Sequence, residues 1–177
     1  MCVPRWGHRD KPVTACKNRA MKLTCRKMTA RDAKAAEVLL SAFLREDAHY
    51  LGTAGVYGDK GPRALKAALR LFVKWPRLGF VWLAFADGEP AGCCVISYAI
   101  STSIGAVVGK LDDVFVADGF RGLGLGEAML RALEKQLKKE KVKRIDTAVV
   151  TDNDGAARFY ARMGYRELGE ERLAKVL

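Results

Sequence analysis

Residues 120–130, FRGLGLGEAML, decide the fold, because glycine occupies three alternate positions directly before a run with helical spacing. Gly122, Gly124 and Gly126 permit positive φ angles and let another group approach the backbone closely. Glycines at the start of a helix commonly expose N–H groups that bind an anion, most often a phosphate. The stretch therefore predicts a phosphate-binding loop that leads into a helix.

Two familiar phosphate loops do not fit this spacing. A P-loop has Lys followed by Ser or Thr after its last glycine, whereas Glu127 and Ala128 stand here. A dinucleotide-binding loop has GxGxxG spacing and an acid about twenty residues later. Asp146 has that separation, but the spacing is GxGxG and only 31 residues follow to complete a sheet. A turn that binds nothing is the plain alternative, although three glycines in five positions cost backbone entropy.

The composition indicates one globular domain. The chain has 177 residues, of which 50% are hydrophobic, and a formal net charge of +11. No apolar run approaches the roughly 20 residues of a membrane span, so no membrane partner is expected. Five cysteines without CxxC spacing, beside only two histidines, favour a reducing, cytoplasmic location without disulfides or bound metal. The charge favours anionic partners but does not separate nucleic acid from a phosphorylated small molecule.

Residues 1–20 differ from the rest of the chain. They carry five Lys/Arg, one acid and two prolines without hydrophobic periodicity, and Met21 resembles a natural beginning. We expect residues 1–20 to be a basic, disordered extension and residues 21–177 to be the folded domain. A transit peptide is an open alternative, although the segment is poor in serine and has no amphipathic stripe.

Hydrophobic periodicity after residue 21 predicts the order β-α-α-β-β-β-α-β-α-β. Thr29 is expected to cap the first helix, and Pro62 suits the first turn of the second. Asp87 and Gly88 between two apolar runs predict a β-hairpin. Gly164 is expected to end the last helix, after which the tail can supply one or two strands.

This order, with Arg-x-x-Gly-x-Gly before the long helix, resembles the GNAT superfamily of N-acetyltransferases. The acyl-CoA motif of that superfamily, Arg/Gln-x-x-Gly-x-Gly/Ala, corresponds to RGLGLG at residues 121–126. A second motif, NDGAARFYARMGY at residues 153–165, is similar to the Asn…Phe-Tyr…Gly-Phe/Tyr segment of the superfamily. The resemblance covers most of residues 21–177 and is closest in motif style to the diamine and polyamine acetyltransferases.

The resemblance implies an α/β (α+β) fold whose central sheet is mixed, mostly antiparallel, flanked by helices and splayed between its fourth and fifth strands. It also implies acetyl-CoA as co-substrate and no metal. The pyrophosphate is expected on the backbone of residues 121–127, and the pantetheine arm is expected to pair with the fourth strand. The residues implied to bind acetyl-CoA are Val114, Phe115, Val116, Arg121, Gly122, Leu123, Gly124, Leu125, Gly126, Glu127, Asn153, Ala156 and Tyr160.

The resemblance further assigns catalytic roles to Tyr160 and Asp112. Tyr160 would protonate the departing thiolate, since a phenol of pKa ~10 can serve a thiol of pKa ~8.5 at a small cost. Asp112 would face the substrate amine, and period-two alternation sends it and Asp113 to opposite faces of the strand. Asp47 and Tyr50 lie where the acceptor-binding loop begins and are expected to contact the acceptor. The plain alternatives are a core tyrosine and a solvated carboxylate.

The resemblance implies acetyl transfer to a primary amine of a small molecule, such as a polyamine, an amino sugar or an amino-acid-like compound. Direct attack in a ternary complex is expected. Acetylation of a protein or peptide and a non-catalytic acyl-CoA sensor are the alternatives. Nucleic acid is not expected as the main partner, because the lysines of residues 131–144 alternate with Glu and lack an aromatic ladder. By analogy with the superfamily, a homodimer is a further implication of the resemblance.

Overall fold

The computed structural model describes residues 21–46, 61–170 and 172–175. Short 3₁₀ turns, Ala30–Asp32 and Asp118–Phe120, precede two of the helices. The order agrees with the prediction as far as the last helix. The strands and helices are β1 (Leu23–Lys27), α1 (Ala33–Glu46), α2 (Pro62–Lys74), β2 (Gly79–Ala86), β3 (Glu89–Ser101), β4 (Ala106–Val116), α3 (Leu125–Lys139), β5 (Ile145–Thr147) and α4 (Asp154–Arg162).

The strands form one sheet in the order β1-β2-β3-β4-β5. The first four are antiparallel to their neighbours, and β5 is parallel to β4. β5 pairs with β4 only from Gly109↔Ile145 to Leu111↔Thr147, whereas β4 continues to Val116. The two strands therefore separate after Leu111, as the resemblance implied.

Both faces of the sheet are covered by helices. All eight residues of β2 are buried, and alternate ones enter two separate hydrophobic clusters. Trp82 belongs to the cluster shared with α3, where its indole Nε1 donates to the backbone oxygen of Met129 (3.3 Å). Leu83 belongs to the cluster shared with α1 and α2, which contribute Leu39 and Leu69. Burial on both faces explains why β2 is a continuous apolar run in the sequence.

The predicted cap at Thr29 is present, but its geometry is more elaborate. Thr29 and Asp32 form a capping box, in which the Thr29 backbone N–H donates to Asp32 Oδ2 (3.0 Å). Arg26 donates to the other carboxylate oxygen (2.7 Å). Burial alone would raise the pKa of Asp32, but the hydrogen bonds from Arg26 and Thr29 lower it below the ordinary value. The residues that follow Thr29 form a 3₁₀ turn, and regular α1 begins only at Ala33.

The tail differs from the prediction. Residues 165–170 and 172–175 form no strand, although one or two were expected there. Gly169 has a φ of 66°, a left-handed angle that a regular strand does not contain. Within the described ranges, no helix is long and apolar enough to cross a membrane, and no cluster of three His, Cys, Asp or Glu side chains is arranged to hold a metal.

Candidate active site

The gap between β4 and β5 exposes backbone groups of β4. The N–H of Ala117 donates to the oxygen of Ala91 in β3 (3.0 Å), and the oxygen of Val116 accepts from Arg121 Nε (2.7 Å). Because successive residues of a strand direct their N–H and C=O groups to opposite edges, Val114 and Val116 direct theirs toward the gap. The β4–β5 ladder ends before Val114, so β5 does not pair with these groups.

A β-bulge lies at the start of the gap. The register between β3 and β4 shifts by one residue between Cys93↔Phe115 and Val95↔Asp112, and Asp113 has a φ of 53°. As a result Leu111 and Val114, three residues apart, pack against the same cluster. The period-two alternation expected for Asp112 and Asp113 is interrupted here, because the bulge inserts one extra residue into β4.

Tyr160 lies in α4 beside the end of the β4–β5 ladder. Burial raises the pKa of its phenol to about 12; a hydrogen bond with Thr147 opposes this increase, and Cys94 and Asp112 add to it. Thr147 in turn donates to the backbone oxygen of Leu111 (3.0 Å), the last paired residue of β4. Tyr160 is therefore neutral at physiological pH and near enough to Asp112 for the carboxylate to affect its ionisation.

The Asp112 carboxylate lies close to two basic side chains. Its carboxylate lies 3.0 Å from Lys110 Nζ and 3.7 Å from a guanidinium nitrogen of Arg172 in the tail. The Asp112 side chain keeps 23% of its surface exposed. The structure thus places Asp112 and Tyr160 at one end of the gap, as an ion-paired carboxylate near a neutral phenol.

The glycine loop leads into α3 as predicted, and two of its glycines are required by backbone angle. Gly122 and Gly124 have φ values of 74° and 76°, while an added Cβ at either would meet no atom within 4 Å. Gly124 is the N-cap of α3, and Ala128 makes the first helical bond, to the oxygen of Gly124 (3.1 Å). The N–H groups of residues 125–127, here termed the anion cradle, therefore have no helical partner, which is the arrangement found where helix N-termini bind anions.

Gly126 has a different role from the other two glycines. It lies within α3, and an added Cβ would lie 3.5 Å from Val116 and 3.8 Å from Phe159 of α4. These are ordinary contact distances, so Gly126 lies where α3 approaches β4 and α4 closely.

The side chain of Arg121 contacts protein groups. Besides Val116, it binds Glu46 at the end of α1 (2.5 Å) and Asp118 (2.8 Å), and it lies 5.3 Å from the ring centroid of Phe115. The hydrogen bond to Glu46 is the main cause that raises the pKa of Arg121. The Arg121 backbone N–H donates to Asp118 (3.2 Å). Arg121 thus ties the loop to α1, and its expected contact with the co-substrate stays a prediction.

A cavity of about 650 Å³ lies beside the loop and the gap. It brings together five of the predicted residues, which are Val114, Phe115, Val116, Arg121 and Asn153. It also contains residues that the sequence analysis did not assign to acetyl-CoA, namely Phe43, Glu46, Val150, Asp152, Asp154 and Gly155.

The missed residues have physical explanations. Phe43 has the helical spacing of a core residue, and it packs partly against the buried cluster. Asp152, Asp154 and Gly155 flank Asn153 in the second motif and could have been included with it. Asn153 Oδ1 accepts from the Ala156 N–H (3.0 Å), so these two residues cap α4 together. Asp47 and Tyr50, the expected acceptor contacts, lie outside the described residues.

A family model described as the acetyltransferase (GNAT) family matches residues 55–165, which include the bulge, the glycine loop and α4. An uncharacterised N-acetyltransferase of Methanocaldococcus jannaschii is 31% identical over 106 residues, which is 53% of this chain and 46% of the relative. The thialysine N-ε-acetyltransferase of Caenorhabditis elegans is 29% identical over 87 residues, 49% of this chain and 54% of the relative. The chain thus spans about half the length of these curated relatives.

Solved structures support the fold. The aminoglycoside N-acetyltransferase AAC(6')-Iy, determined in complex with CoA, aligns with a TM-score of 0.69 over 90% of this chain and 97% of its own. Its sequence identity is 15%, so this likeness concerns the fold alone.

Proposed function

The chain belongs to the GNAT family of acetyltransferases, and we propose that it moves an acetyl group from acetyl-CoA to a primary amine of a small molecule. The observation that carries this proposal is the gap between β4 and β5, which has the anion cradle of α3 and the phenol of Tyr160 beside it. A relative named for acetylation of thialysine, a small amino acid with a side-chain amine, supports the acceptor class.

The described residues fit acetyl-CoA as co-substrate. The N–H groups of residues 125–127 suit its pyrophosphate, and the positive φ values of Gly122 and Gly124 shape the approach to them. Val114 offers an N–H and a C=O to an extended arm along the open edge of β4. Acetyl-CoA supplies the acetyl group as an activated thioester. An N–H directed at the thioester oxygen stabilises the charge that develops there, an effect that can amount to several kcal/mol.

Tyr160 is the proposed proton donor. Transfer from a phenol of pKa about 12 to a thiolate whose conjugate acid has a pKa near 8.5 is uphill by roughly 5 kcal/mol. A turnover of about ten per second corresponds to a total barrier of roughly 16 kcal/mol, so this cost fits within it. The high pKa also keeps the phenol fully protonated before the reaction.

Asp112 is the proposed contact of the acceptor amine. An ammonium group that enters the gap competes with Lys110 and Arg172 for the Asp112 carboxylate. Its ion pair with this carboxylate orients the ammonium nitrogen. The ammonium must lose a proton before it attacks, and Asp112 is the described carboxylate beside Tyr160 that can accept it, directly or through water. The nitrogen loses a second proton as the amide forms, and that proton restores the phenol of Tyr160 after it has protonated the thiolate. Asp47 and Tyr50 complete the acceptor site in this proposal.

Product analysis with two-substrate kinetics tests the proposal. Amino acids with side-chain amines, polyamines, amino sugars and peptides are incubated with acetyl-CoA, and acetylated products are detected by mass spectrometry. We expect a product from one small-molecule class and intersecting double-reciprocal plots, which indicate a ternary complex. Parallel plots would indicate a covalent acetyl-enzyme and contradict direct attack. Acetylation of the peptides alone would indicate that the acceptor is a protein rather than a small molecule.

A further inference from the structure

The outward face of α2 carries basic residues at regular helical spacing. Arg63, Lys66, Arg70 and Lys74 lie three or four residues apart, Arg77 follows just after the helix, and all five are exposed. Residues 61–86 contain no Asp or Glu. Lys66 pairs with Glu37 of α1 at 3.5 Å, and among the described residues no carboxylate lies within 4.0 Å of the other four.

Large apolar side chains are exposed beside these charges. Within eight consecutive residues, Leu71 is 46% exposed, Val73 42%, Trp75 46% and Leu78 61%. Lys74 Nζ lies 5.1 Å from the centroid of the Trp75 ring. The nine basic and apolar residues form the α2 face, which consists of Arg63, Lys66, Arg70, Leu71, Val73, Lys74, Trp75, Arg77 and Leu78.

A groove of about 440 Å³ between α1 and α2 opens beside this face. Ala33, Leu69 and Val73 give it apolar walls, and Lys66, Arg70 and Lys74 belong both to the groove and to the α2 face. Apolar contact area and positive charge are therefore available side by side.

We propose that the α2 face docks the protein on an anionic lipid bilayer. Basic side chains near such a surface each add attraction, and a tryptophan at the edge of a helix suits the boundary between headgroups and acyl chains. The exposed Leu71, Val73 and Leu78 gain from contact with lipid. This docking is an association with the bilayer surface. No membrane partner was expected from the sequence because no apolar run is long enough to span a bilayer, and that reason does not apply to surface docking.

A nucleic acid is less well matched to the same face. Phosphates would satisfy the basic residues, but Leu71, Val73 and Leu78 gain nothing from a sugar–phosphate backbone. Trp75 is the one aromatic side chain of the face, whereas strand-binding proteins stack successive bases on several. α2 also packs on the sheet face opposite α3, so the α2 face and the helix that bears the anion cradle lie on opposite sides of the sheet.

Vesicle sedimentation with the full chain tests the proposal. The probes are vesicles of pure phosphatidylcholine and vesicles with about one third phosphatidylglycerol. The test variant is Arg70→Gln with Lys74→Gln, and the matched control is Lys135→Gln with Lys138→Gln, which removes the same charge from exposed positions of α3. All the variants retain residues 1–20, so any contribution of this basic segment to vesicle binding is the same in each.

We expect binding to the anionic vesicles only, at least tenfold weaker in the α2 variant and nearly unchanged in the α3 variant. Leu78→Ser should weaken binding several-fold without a change of charge. Equal losses in the two charge variants would show a diffuse charge effect and overturn the proposal. Tighter binding to a duplex RNA than to the vesicles, at matched phosphate concentration, would assign the face to nucleic acid instead.

Discussion

At the residue scale, Gly122 and Gly124 show which property of glycine the loop uses. Their positive φ values turn the chain so that it enters α3 with its N–H groups uncovered, and no neighbouring atom excludes a side chain. Gly126 has a helical backbone, and an added Cβ there would make an ordinary contact 3.8 Å from Phe159. A substitution at Gly124 should therefore change the direction of the N–H groups in the anion cradle rather than the packing around the loop.

Gly124→Val should weaken acetyl-CoA binding at least tenfold, because the left-handed angle strains valine and reorients the N–H groups. The matched control is Gly105→Val, since Gly105 has a φ of 66° and equally open surroundings in the turn between β3 and β4. The two variants should lose similar thermal stability. Calorimetric titration with acetyl-CoA separates them, and unchanged affinity in Gly124→Val would refute the cradle.

The raised pKa of Tyr160 predicts the pH dependence of turnover. An ordinary tyrosine loses its proton near pH 10, whereas burial holds the proton of Tyr160 to about pH 12. The acid form therefore persists as pH rises, and kcat should not decline below pH 10 through this group. A kcat profile from pH 7 to 10.5 checks this. A decline centred below pH 10 that disappears in Tyr160→Phe would contradict the assignment.

At the element scale, the C-terminal end of α3 is fixed to the sheet by a polar cluster. Glu140 accepts hydrogen bonds from Tyr98 of β3 and from Gln136 (2.6 Å), and it pairs with Lys27 of β1 (2.5 Å). Burial alone would raise the pKa of Glu140, but Lys27, Tyr98 and Gln136 together lower it. The cluster holds the end of α3 opposite the cradle, and so helps to fix the direction of the helix.

Glu140→Gln should lower the free energy of unfolding by about 1–3 kcal/mol, because Lys27 loses its charged partner and the phenol of Tyr98 a strong acceptor. The contribution of the carboxylate is present above the unfolded pKa near 4.5. It is lost as pH falls through the lower folded pKa, so the variant and the wild type should converge in acid. Urea denaturation at pH 7 and pH 3 measures this. Glu89→Gln, at an exposed hairpin position, is the control; an equal loss there would refute the prediction.

At the scale of the whole molecule, the features predicted from sequence are those with local causes. The hairpin between β2 and β3 follows from Asp87 and Gly88, whose φ values of 49° and 93° form the expected turn. The glycine loop and the cap at Thr29 were likewise predictable from a few adjacent residues. The splay between β4 and β5 came from the family resemblance alone, since no local pattern encodes it.

The features that sequence reasoning missed depend on distant contacts. Arg121 and Glu46 are 75 positions apart, so nothing near either residue indicates that they pair. The bulge at Asp113 depends on the register with β3, which the alternation within β4 does not reveal. Arg172 reaches Asp112 from a tail that was expected to be extended strand. The surroundings of Asp112 were thus less predictable than the glycine loop.

The central claim is that acetyl transfer takes place in the gap between β4 and β5 with Tyr160 as proton donor. The most direct test compares acetyl-CoA-dependent thiol release by the wild type, Tyr160→Phe and Tyr165→Phe, where Tyr165 is the neighbouring ring at 5.2 Å. We predict that Tyr160→Phe lowers kcat at least a hundredfold while its affinity for acetyl-CoA stays within threefold of wild type, and that Tyr165→Phe retains most of its activity. Equal kcat in all three proteins would contradict the account.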